Sequence, residues 1–104
     1  MKTPNRIWIV DEWVPFALAT FTEDGLYGIS NKQGIMVDKT LDPQNLVATT
    51  IHEAMHKVMN KTGLTDLCEG GMGEVICRNT ELLYVSLLND EDITAWIAQK
   101  WTKR

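Results

Sequence analysis

The spacing of apolar residues changes near position 42. Before it, short runs rich in Ile, Val and Trp are separated by turn signals; after it, apolar residues recur every three or four positions. The run RIWIVDEWV (6–14) reads as one strand, ended by Pro15. Residues 16–21 fit a strand or a short helix equally well, and Glu23-Asp24-Gly25 is a turn signal. LYGIS (26–30), a turn over 31–34 and IMVD (35–38) predict a β-hairpin, its turn longer than the tightest two-residue type.

Helical spacing starts after Asp42, a good N-cap, with Pro43 suited to the first helical position. Leu46, Val47, Thr50, Ile51, Ala54, Met55, Val58 and Met59 then form one apolar stripe about four turns long, which Gly63 closes. A loop follows. A second helix is expected over 72–88, and a third over 90–103, capped by Asn89 or Asp90. Ile93, Trp96, Ile97 and Trp101 share one face of the third; the tryptophans are expected in the core, although Trp101 lies close enough to the end to serve a dimer. Strands first and helices second make one α+β domain over 1–104, a small N-terminal β-hairpin or antiparallel sheet packed on the first helix and two further helices.

Composition narrows the functional classes. The 104 residues are 44% hydrophobic and 23% charged, ordinary for one globular domain. The net charge of −4 argues against a nucleic-acid partner, which needs a concentrated basic surface, and Lys100, Lys103 and Arg104 read as a solvated basic end. No apolar run reaches membrane-spanning length and no signal-peptide core follows Met1, so a cytoplasmic protein without a membrane partner is expected. Two cysteines make no disulfide framework. Cys77, beside Val75 and Ile76, is expected as a free thiol in the core, and Cys68 as one in a loop.

The candidate chemistry lies in His52-Glu53-Ala54-Met55-His56, an HExxH sequence. Residues at i and i+4 of a helix lie about 40° apart, so both imidazoles reach one Zn²⁺. Glu53, about 100° further round, is placed to act as general base toward a water on the metal rather than as a ligand. On this reading the apolar stripe packs inward, His52 and His56 sit on its flank, and Glu53 lies on the opposite side, which the helix offers to a cleft.

A catalytic zinc site needs a third protein ligand and an open position. No other histidine exists, which leaves Cys68, Glu69, Glu74 and Glu81. Glu74 is the expected ligand. It opens the second helix after Gly70-Gly71-Met72-Gly73, where the backbone can turn sharply, and antiparallel packing brings it opposite His56. Glu74, Arg78 and Glu81, at steps of four and three, also read as a surface ion-pair ladder, with a substrate-carboxylate role for Arg78 as the alternative. Asn79 and Thr49 are candidate hydrogen-bond partners for the ligands.

The order of a hairpin with LYG and IMVD, a helix with TTIHEAMHKV, and then GEVICRNTELLYVSLLND resembles small zinc metallopeptidase domains of the ImmA/IrrE type and related phage and prophage proteins, over roughly residues 6–97. The resemblance implies a zincin-like fold of minimal gluzincin type. It implies His52, His56 and Glu74 as zinc ligands, Glu53 as base, and a peptide or protein substrate, with regulatory proteins among those such relatives act on. It further implies that the strand ending near Asp38 is the edge along which a peptide lies. Two positions depart from the family pattern and bear on substrate choice: Lys57 directly after the second histidine, and Arg78 where gluzincins often carry Asp.

The reading that follows is a zinc-dependent hydrolase of peptide bonds. Its main competitor is a non-catalytic, zinc-stabilised interaction module, phage-encoded in the manner of those relatives, which would tolerate loss of Glu53. A third is a metal-free helical binding protein. The sequence does not specify an oligomeric state.

Overall fold

Val10 turns the first apolar run back on itself. It adopts a left-handed backbone (φ 59°), rare for a β-branched residue, and the Asp11 N–H donates to the Ile9 carbonyl at 2.7 Å. In this computed structural model, which describes residues 2–21 and 25–102, the expected single strand over 6–14 is therefore two antiparallel strands, β1 (Arg6–Ile9) and β2 (Glu12–Ala19). No Gly or Asn marked the turn. Its supports are non-local: Ile9 is buried, and Lys61, fifty residues on, bridges Asp11 at 2.9 Å and Glu12 at 2.8 Å. Across the pair, Trp8 and Trp13 pack edge to face with centroids 5.4 Å apart, and the Arg6 guanidinium lies 3.9 Å from the Trp13 ring centre.

Pro15 does not end the strand. It sits where β2 leaves β1 and begins to pair with β4 (Gly34–Asp38), a changeover at which a missing N–H costs least. Residues 16–19 thus resolve as strand. Gly34 makes the approach possible: its φ is +138°, and a Cβ there would lie 2.4 Å from the Pro15 carbonyl oxygen. β3 (Gly28–Asn31) completes the predicted hairpin with β4. The sheet order is β1-β2-β4-β3, with β2 and β4 parallel and the other pairs antiparallel. β4 is therefore interior. The expectation that the strand ending near Asp38 forms the free edge is overturned, because β2 pairs along its other side; the free edge on that side of the sheet is β3. The turn signal at Glu23-Asp24 lies outside the described residues, as do Lys103 and Arg104 of the basic end.

α1 (Pro43–Thr62) follows the sequence closely. The Asp42 side chain accepts from the Asn45 N–H at 2.8 Å, and Gly63 closes the helix in the left-handed conformation. A single-turn α2 (Leu64–Leu67) occupies the expected loop, followed by α3 (Met72–Leu88) and α4 (Glu91–Lys100), which Asp90 caps by accepting from the Ile93 N–H at 3.1 Å. α1 is the middle layer. One side packs Leu46, Ala54 and Val58 on the sheet core of Ile9, Val14, Phe16, Ile35 and Val37. The other meets α3, where buried Met59 and Cys77 touch, the Cys77 thiol 3.5 Å from the Met59 sulfur. α4 packs against α3 alone to any comparable extent. Its tryptophans, expected in the core, are exposed, Trp96 at 59% and Trp101 at 63%. Among the described residues, no helix is long and apolar enough to cross a membrane.

Candidate metal centre

The antiparallel pairing of α1 and α3 decides which side chains meet. His52 and His56 project from consecutive turns of α1, ring centres 5.2 Å apart. Gly70, in a left-handed conformation (φ +58°), turns the chain into α3, whose first turn carries Glu74. One Glu74 oxygen lies 2.8 Å from His56 Nε2 and the other 3.1 Å from His52 Nε2. The three residues expected as ligands therefore converge. Cys68 and Glu69 are not brought to the histidines.

Glu81, the alternative ligand in the sequence, takes a different place. Its carboxylate lies on the far side of His52, 3.2 Å from Nδ1. The expected ladder through Arg78 is overturned: both glutamates reach across to α1, and Arg78 makes no ion pair among the described residues. The sequence signal existed, since Glu74 and Glu81 are seven apart and so share a face of α3, but which face was not legible. A neutral imidazole donates from one nitrogen only. With Nδ1–H directed to Glu81, the Nε2 lone pair faces Glu74, a pairing that either a proton or a metal ion between them satisfies. Of the two other predicted partners, Thr49 lines the cleft, whereas exposed Asn79 hydrogen-bonds to neither histidine.

Glu53 lines the cleft, the side expected for it, but under cover. It does not face open solvent; it is 8% exposed, tucked under β3 against Gly28. Burial pushes its carboxyl above the ordinary range, the neighbouring charges of His56 and His52 oppose that rise, and Glu74 adds to it. Glu53 makes no side-chain hydrogen bond among the described residues, leaving a carboxylate available to whatever enters the cleft.

Cys77 lies beneath. A ligand atom from each of His52, His56 and Cys77 can be found within 4.8 Å of one another, so a soft donor stands close to the histidines. Its thiol is fully buried, directed at Met59, and pushed up to about 11 by that burial. Glu74 is the better third donor, because its oxygens already contact both Nε2 atoms. Two imidazoles and one carboxylate, with a histidine oriented by a further carboxylate, fit a zinc ion.

These groups open into a cleft of about 880 Å³ between the β3 edge and α3, within the range of ligand sites. Lys57, the charged residue after the second histidine, donates to the Asn31 carbonyl and ties the end of β3 to α1. No family model, curated protein or solved structure matches the chain.

Proposed function

We propose that the protein is a small zinc-dependent metallopeptidase of the ImmA/IrrE-like, minimal gluzincin kind, hydrolysing a peptide bond held between β3 and α3. The observation that carries this reading is the Glu74 carboxylate meeting Nε2 of both HExxH histidines, with Glu53 in the same cleft. His52, His56 and Glu74 would hold the ion. Zinc, when bound there, supplies Lewis-acid polarisation of the scissile carbonyl and acidifies water.

The chain's own residues supply the rest. Glu53 takes the proton from the attacking water and passes it to the departing amine; burial raises its affinity for that proton. Glu81 holds His52 in one tautomer and orientation. β3 presents its unpaired backbone to the cleft, so an extended peptide can add to it as a further strand. This moves the peptide-binding edge from the strand first expected to β3. Proteins, regulatory ones included, are the substrate class, and the cytoplasm, which keeps Cys68 and Cys77 reduced, is the compartment.

The test has two parts. Purified protein should carry about one zinc per chain, sharply reduced in Glu74→Ala. Hydrolysis of an unstructured protein such as casein should fall about 10²–10⁴-fold in Glu53→Gln with its zinc retained. Zinc-loaded wild type that hydrolyses nothing above background would leave the non-catalytic zinc module, and equal hydrolysis by wild type and Glu53→Gln would remove Glu53 as the base. Absence of metal after zinc is added back would end both readings.

A further inference from the structure

The last two helices leave more apolar surface uncovered than a lone chain tolerates. Leu82, Leu83 and Tyr84 are consecutive on α3 and fan round it at about 100° each, yet they are 51%, 56% and 50% exposed; Leu88, a turn on, is 52% exposed. A helix segment apolar on every side belongs inside something. Every residue of α4 is exposed, including Ile93, Trp96 and Ile97 on one face and Trp101 at its cap. Ten residues are too few for a helix to persist in water without a surface to pack on.

We propose that this α3–α4 hairpin pairs with the same hairpin of a second copy of the chain, forming a two-fold dimer through a four-helix contact. Two observations select a second copy. The first is area: at roughly 100 Å² for each half-exposed side chain, the eight residues offer about 800 Å², the share one partner contributes to a standard interface. The second is charge. The first turn of α4 carries Glu91 and Asp92, and its last turn carries Lys100. Two copies of α4 crossing antiparallel about a two-fold axis place the acidic start of each against the basic end of the other. The contact lies at the end of α3 remote from Glu74 and does not depend on the metal.

Light scattering and sedimentation from 1 to 100 µM test this. The expected mass is twice 11.8 kDa. Trp96→Glu with Ile97→Glu should weaken association at least about a hundredfold, as loss of a central anchor does, while circular dichroism loses at most the signal of the ten-residue α4. Glu91→Lys with Asp92→Lys should weaken it several-fold, and adding Lys100→Glu should restore it. That restoration is expected only where each α4 faces another α4 in antiparallel. A wild-type monomer at 100 µM would overturn the proposal and assign the surface to a different protein. A dimer indifferent to both sets of substitutions would overturn it too, placing the interface elsewhere.

Discussion

Replacing Gly28 by Ala should separate metal binding from catalysis. Gly28 opens the edge strand β3 directly above α1, and its backbone does not require a glycine. Space is the constraint: an added Cβ would lie 2.7 Å from Thr49 Cγ2, 2.9 Å from Glu53 Cγ and 3.2 Å from Glu53 Oε2. The first two are closer than real contacts come; the terminal Thr49 methyl can rotate away, but Glu53 Cγ lies mid-chain, so β3 must lift or Glu53 must move by about 1 Å. Overpacking of this kind costs about 1–3 kcal/mol. A misplacement of about 1 Å at a reacting group costs about 10²-fold in rate. None of the crowded atoms belongs to His52, His56 or Glu74, so zinc content should stay at the wild-type level. Denaturant unfolding, zinc content and casein hydrolysis on one preparation read all three quantities. Gly73→Ala is the control: its Cβ meets only Met59 Cε at an ordinary 3.7 Å, and the better helix former should stabilise α3 by about 0.5–1 kcal/mol. Wild-type stability and hydrolysis in Gly28→Ala would refute the close packing of β3 on Glu53, and loss of zinc would refute the separation of the two functions.

Three further outcomes follow from the same geometry. Glu81→Ala should lower zinc affinity about 10–100-fold in chelator competition without abolishing binding, because it removes the partner of His52 Nδ1 rather than a ligand; unchanged affinity would remove Glu81 from the site. In the native protein a thiol reagent at pH 8 should modify Cys68 quickly and Cys77 only on unfolding, since Cys77 is fully buried and its thiol is pushed up to about 11; two equally fast thiols would contradict that burial. Lys61→Met should destabilise the β1–β2 hairpin at neutral pH, as Asp11 and Glu12 lose their shared cation. Those contacts raise the lysine above its ordinary 10.5, so its contribution is complete below that pH and lost as pH climbs past it; the gap between variant and wild type should therefore close in strong alkali and narrow in salt.

Local periodicity determined the helical half of the molecule. Asp42, Pro43 and Gly63 bound α1 because caps and left-handed glycines act within one turn of themselves. The i, i+4 step placed His52 and His56 together before any tertiary contact was known, and the glycines before Glu74 announced a sharp entry into α3. The hairpin of β3 and β4 was legible for the same reason: its partners are close in sequence.

Everything that depended on distant partners was settled only by the fold. Val10 makes a turn without turn chemistry, held by a lysine fifty residues away. The parallel pairing of β2 with β4 buries the strand expected at the edge and leaves β3 at the cleft. Glu53 lies buried because β3 closes over the helix face that the pattern alone offered only as one wall of a cleft. Glu74 and Glu81 grip His52 from both sides because α3 turns that face, rather than the one bearing Val75 and Leu82, toward α1. A sequence states which residues share a face; which face is covered, and by what, is set by the competition of all the elements for one core. In a chain this small that core ends before α4, so Trp96 and Trp101, apolar enough for an interior, lie outside it.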